Sequence, residues 1–206
     1  IIGVISAVLG VALSLALFMY LPALITDFFD NHVFGGSIGE HNLKPLSEGI
    51  IKIIVFVIYM WAVSQMKDIK RVFMYHGAEH KTIYTYEAGL PLTVENVRPF
   101  GRLHPRCGTN FLMIVMLISM FVFTFLGWPN LVMRILSRVV LMPVIAGVSY
   151  EIIRFAGAHN DNCVVHAAIM PGLLLQKLTT REPDDSMLEV AIASLKAVLP
   201  DDDDVL

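Results

Sequence analysis

"IIGVISAVLGVALSLALFMYLPALI", residues 1–25, contains no charged side chain. A helix needs about 20 mostly apolar residues to cross the hydrocarbon core of a bilayer. This block therefore reads as a span, and three more apolar blocks follow it. Ile50 to Met66 is interrupted early by Lys52, and Phe111 to Trp128 is uncharged. Leu131 to Phe155 carries Arg134, Arg138, Glu151 and Arg154, and its unbroken apolar part is only Val139 to Tyr150. That fourth block fits either a span or a re-entrant helix.

Composition agrees. Of 206 residues, 56% are hydrophobic and 16% charged, and mean hydropathy is +0.67. Soluble domains carry about 25% charged residues. The first block lacks the basic leader of a signal peptide, and the chain begins with Ile. The expectation is that the true N-terminus is missing or that the chain is a portion of a longer protein.

Basic residues orient the spans. Lys67, Lys70, Arg71, Lys81, Arg98, Arg102 and Arg106 crowd the segment 67–109, whereas the 26–48 loop holds only Lys44. By the positive-inside rule the 67–109 segment is cytoplasmic. Arg134 and Arg138 then fall on the outer side and must snorkel or face the bundle interior. The expected architecture is an all-α membrane protein with about four transmembrane helices, the fourth spanning or re-entrant. It has a cytoplasmic motif loop and a C-terminal amphipathic helix. Residues 1–160 form the helical transmembrane domain, including loop 67–109. Residues 161–206 form a cytoplasmic or interfacial helical region with an acidic tail.

Net charge is −3, and no basic stripe with interleaved aromatics supports nucleic-acid binding. Cys107 and Cys163 fall on the cytoplasmic side, where disulfides are rare, and read as free thiols or ligands. No Pro or Gly stands between Trp61 and His76, so the second span is expected to run on as helix into the motif. "CVVHAAIMPGLLLQKL", residues 163–178, is too short to span and is broken by Pro171-Gly172; it fits the interface. Ser186 and Glu189 have capping-box spacing, and Leu188, Ile192, Leu195 and Leu199 form one stripe that ends at Pro200.

The chemistry gathers in "FMYHGAEHKT", residues 73–82. His76 and His80 are four apart, on one helix face, close enough to share a metal ion. Glu79 completes the H-x-x-E-H order of inverted zinc proteases, in which the carboxylate is the general base. The plain alternative is two boundary histidines and a carboxylate paired to Lys81 or Arg71. "HPRCGT", residues 104–109, adds His104 and Cys107 at H-x-x-C before Gly108, as in a zinc knuckle; a simple turn explains the same residues. Four ligands would close the site and make it structural, whereas three would leave a water position open. Glu87 and Glu151 are further candidate ligands, although Glu151 also suits a salt bridge with Arg154. Arg106 is a candidate contact for an anionic headgroup or substrate. His41, His159 and His166 have no partner spacing.

"KRVFMYHGAEHKTI" (70–83), "LTVENVR" (92–98), "HPRCGTNF" (104–111), "SYEIIRFAG" (149–157) and "PGLLLQKLTTREPDDSMLEVAIASL" (171–195) resemble the YqhQ-like family of bacterial integral membrane proteins. The resemblance runs from about Asn42 to Ala197. It implies a multi-pass protein of the bacterial plasma (inner) membrane with its polar motifs on one side, and no agreed activity. Family members carry a segment upstream of the first span, and this chain departs from them there.

Two functions compete. One is a membrane-embedded zinc-dependent hydrolase. Zinc sits on His76 and His80 with a third ligand from His104, Cys107 or Glu151, and Glu79 is the base. Its substrate is a membrane-associated peptide or lipid-linked molecule at the cytoplasmic interface. The other is a non-enzymatic accessory or assembly protein with a structural metal or none, docking through its C-terminal helix. Transport is a weaker third, since the polar residues cluster at one edge.

Overall fold

The computed structural model describes residues 2–36, 43–127, 130–159 and 162–199. His41, Pro200 and the tail Asp201 to Asp204 lie outside them. The described residues are helical, with no strand. Four helices are long and apolar enough to cross a membrane: Gly3–His32, Lys44–Val63, Gly108–Leu126 and Val132–Ala158. The chain is an all-α protein of this class.

By internal contacts the chain forms two units, residues 1–59 with 111–155 and residues 60–110 with 156–206.

The first unit holds most of the four apolar helices. Helix α1 (Ile2–Leu15) passes through a π-helical turn (Ala16–Tyr20) into α2 (Leu21–His32). Pro22 opens α2. Its missing N–H and its ring disturb the preceding turn, which widens locally. Helix persists to His32, beyond the loop expected from Thr26. The polar groups responsible are satisfied in place: Thr26 Oγ1 donates to the Pro22 carbonyl at 2.8 Å, and buried Asp30 pairs with Lys44 at 2.9 Å. Helix α3 (Lys44–Val63) carries Glu48. Glu48 accepts from Arg138 of α7 (Leu131–Ala158) at 3.0 and 3.1 Å and from Lys52 at 3.4 Å. Arg138 also stands 5.5 Å from the Phe123 ring centroid. Arg138 therefore takes the interior alternative. The fourth block is one helix of 28 residues, about 42 Å long at 1.5 Å per residue, so the re-entrant alternative is set aside.

The second unit is built around α4 (Lys67–Glu87). The helix expected to run on from α3 stops at Val63, and Met66 is extended. Ser64 Oγ donates to the Trp61 carbonyl at 2.7 Å and Gln65 Nε2 to the same oxygen at 3.2 Å. These side chains compete with the backbone ladder and end the helix without Pro or Gly. A short helix α5 (Val94–Val97) is capped by Thr93, and Gly108 opens α6 (Gly108–Leu126).

Helix α8 (Cys163–Thr179) is continuous, and Pro171-Gly172 does not break it. Gly172 is instead a contact point: a Cβ there would lie 1.7 Å from Asn110 Oδ1. Helix α9 (Asp185–Lys196) is capped by Asp184, whose carboxylate accepts from Met187 N at 3.0 Å, rather than by Ser186. Ser186 donates to that carboxylate at 2.6 Å. The stripe on α9 is not a free docking surface. Met187, Leu188, Ala191 and Ile192 are buried with Ala78 and Val97, against Met74 and Tyr75 of α4. Burying several such side chains, at about 1.5–3 kcal/mol each, fastens α9 to the motif helix.

Candidate metal centre

The spacing on α4 sorts the motif onto two faces. His76, His80, Ile83 and Glu87 fall on one side and line a pocket of about 390 Å³. Gly77, Ala78, Lys81, Thr82 and Thr85 are buried. Glycine is required at position 77 because a Cβ would stand 2.1 Å from the Arg181 carbonyl oxygen. That close approach lets the segment after α8 run along α4, where the Arg181 N–H donates to Phe73 O at 2.8 Å.

This segment orients the first histidine. His76 Nδ1 donates to Thr179 O at 2.8 Å, and His80 Nδ1 donates to Arg102 O at 2.6 Å. A carbonyl only accepts, so Nδ1 carries the proton in both rings and Nε2 faces outward from each bond. This is how metal-binding histidines are held: the second nitrogen fixes ring and tautomer. His76 Nε2 lies 3.2 Å from Cys107 Sγ, and the ring centroids of His76 and His80 are 4.4 Å apart. One ligand atom from each of His76, His80 and Cys107 falls within 4.8 Å of the others. Small side-chain rotations would bring the three atoms to the spacing of a tetrahedral ion with bonds of about 2.0–2.3 Å to nitrogen and sulfur.

Electrostatics match. Burial would raise the Cys107 thiol, but hydrogen bonds from His76, His80 and Thr109 outweigh it and bring it down to about 5. The same contact with Cys107 raises His76. Both shifts favour a thiolate beside a protonated imidazole when no metal is bound, and a cation would replace that proton. Cys107 is buried and Cys163 exposed, both as free thiols.

His104 stands apart from the triangle. Its Nδ1 accepts from Arg106 N at 3.2 Å, and its Nε2 faces Glu87 at 3.5 Å. Burial lowers its pKa, against the pull of Glu87. Glu87 also binds Arg106 at 2.6 Å. The two residues thus hold the mouth of the pocket as an ion pair. Glu151, in the first unit, pairs with Arg154 at 3.5 Å on an exposed surface. Glu79 is exposed, lines the pocket, and has no hydrogen bond or salt bridge among the described residues. Lys81 does not take it: its ammonium binds Arg98 O at 2.9 Å and pairs with Glu182.

The sequence reading missed the supports. Gln176, wholly buried on α8, accepts from the His104 N–H and donates to the His104 carbonyl, both at 2.8 Å. Arg102 donates to Thr180 O, and Asn110 to Pro105 O at 2.6 Å. The signal was a lone glutamine inside an apolar run, where a polar group must find a partner.

Comparison with known proteins places the chain. It is 43% identical over 152 residues to a protein of Bacillus subtilis (strain 168) described as "Uncharacterized protein YqhQ". The match covers 74% of this chain and 48% of that protein, so the chain spans about half the length of its curated relative. No solved structure matches. The family model described as "Protein of unknown function (DUF1385)" matches residues 1–201, and the chain belongs to that family.

Proposed function

We propose that the protein is a membrane-embedded, metal-dependent hydrolase. His76, His80 and Cys107 hold a zinc ion, and Glu79 acts as general base. The observation that carries this is the ligand triangle with both histidines pre-oriented through Nδ1. Zinc is the reading because two imidazoles and a thiolate suit it, and three protein ligands leave a position for water. A bound ion supplies Lewis acidity and lowers the pKa of water, and the free carboxylate of Glu79 at the pocket wall receives its proton. Arg106, half exposed while paired to Glu87, is the group for an anionic substrate. The substrate is a membrane-associated peptide or lipid-linked molecule. The Lys and Arg asymmetry supports a cytoplasmic motif loop in the bacterial plasma membrane.

The test uses purified chain in mild detergent with fluorophore-labelled casein and a para-nitrophenyl acyl ester. Chelator-sensitive hydrolysis of either is expected. Glu79→Gln should keep the metal and lose roughly 10²–10⁴-fold in rate, the usual weight of a general base. A wild-type rate in Glu79→Gln, or a rate indifferent to chelation, overturns the mechanism. The second reading is a structural metal in a non-enzymatic protein, favoured by the burial of Cys107 and His80. It requires that His80→Ala lower stability while Glu79→Gln changes nothing.

A further inference from the structure

Helix α8 turns one face inward and leaves another uncommitted. Ile169, Gly172, Leu175, Gln176 and Thr179 are buried. His166, Met170, Leu174 and Lys177 lie along a different stripe, at spacings of four, four and three. With Tyr84, Leu103 and Pro105 they line a second cavity of about 280 Å³. Met170 is 37% and Leu174 51% exposed. Lys177, in the last turn of α8, is exposed and has no hydrogen bond or ion pair among the described residues.

These features select the occupant. Helix α8 is apolar but has 17 residues, short of the ~20 needed to span, and such a length suits an interfacial helix. A chain with four helices long and apolar enough to cross a membrane has lipid as an available ligand. The cavity has a wall, formed by Tyr84, whose hydroxyl donates to Leu103 O at 2.8 Å. Its lining is mostly apolar, with His166 and Lys177 as the basic members. The free ammonium of Lys177 supplies a counter-charge at one end. We propose that this groove binds an acyl chain of an anionic glycerophospholipid, with the lipid phosphate on Lys177. The proposal stands whether or not the other pocket binds metal. It does touch the same segment: Leu103 and Pro105 flank His104, so an occupied groove braces the turn that carries Cys107.

The experiment measures lipid retained by the full chain after delipidation, using native mass spectrometry with phosphatidylglycerol and phosphatidylcholine added separately. Wild type should hold one phosphatidylglycerol per chain in preference to phosphatidylcholine. Lys177→Glu should reduce that retention roughly ten- to thirty-fold, as expected for reversing one interfacial charge. Lys196→Glu makes the same change in net charge on α9 and should have no effect. Leu174→Trp, which fills the groove, should reduce retention with Lys177 intact. Circular dichroism confirms that each variant is folded. Equal retention of both lipids, retention unchanged in Lys177→Glu, or loss in Lys196→Glu as large as in Lys177→Glu overturns the proposal.

Discussion

Gly77→Ala sets two magnitudes against each other. Inside a helix, alanine is favoured over glycine by about 0.8–1.0 kcal/mol, so the bare expectation is a more stable protein. The structure reverses it. The new Cβ would stand 2.1 Å from the Arg181 carbonyl oxygen and 3.3 Å from its carbon. The obstacle is backbone, which cannot rotate away. Overpacking of this kind costs typically about 1–3 kcal/mol. Pushing the segment outward also strains two hydrogen bonds, Arg181 N to Phe73 O and His76 Nδ1 to Thr179 O, each 2.8 Å and each worth about 0.5–1.5 kcal/mol. The losses sum to about 2–6 kcal/mol against a gain of about 1, for a net destabilisation of about 3 kcal/mol. Equilibrium unfolding in mixed micelles, followed by circular dichroism, measures it. Gly10→Ala is the control, since nothing lies within 4 Å of a Cβ added there; it should be neutral or slightly stabilising. A Gly77→Ala protein as stable as the wild type would refute the claimed packing of α4 against the segment that orients His76.

Three further outcomes follow from the same structure. In a Cys163→Ala background without metal, alkylation of Cys107 should follow a thiolate with a pKa of about 5, and His76→Ala should move that titration upward. Because the folded thiol is depressed, its contribution to stability is largest at high pH. It is lost as pH falls towards about 5; the raised pKa of His76 acts in the opposite sense, so its contribution is lost as pH rises. Replacing Gln176 with Leu strands the buried N–H and C=O of His104. It should cost about 2–6 kcal/mol, from about 1–3 per orphaned group, measurable by unfolding, and should weaken metal binding without touching a ligand. In the first unit, Glu48→Gln removes the carboxylate charge whose two oxygens both accept from one Arg138 nitrogen. Breaking a buried pair costs about 3–5 kcal/mol, and a detergent-unfolding midpoint unchanged from wild type would show that the pair is solvated.

The apolar blocks made the spans readable, because nothing but burial in lipid or protein accounts for 25 uncharged residues in a row. Boundaries were harder. The break at Ser64 to Met66 depends on side-chain competition for carbonyls, and the helical run from Thr26 to His32 on an ion pair with Lys44. Neither has a local apolar signature. The pair His76 and His80 was legible from its spacing alone. That Cys107 joins them while His104 turns towards Glu87 was not. It is decided by Gln176 and Arg102, residues that are remote or unremarkable in sequence, and by two glycines whose importance is visible only from what approaches them.

The most direct test of the metal centre is elemental mass spectrometry on the intact chain, purified in detergent under metal-replete, chelator-free conditions, beside His76→Ala and Cys107→Ser. The account predicts about one zinc per chain in the wild type, lost in both variants. A wild-type protein that holds no metal would contradict it, and so would one whose metal survives both substitutions.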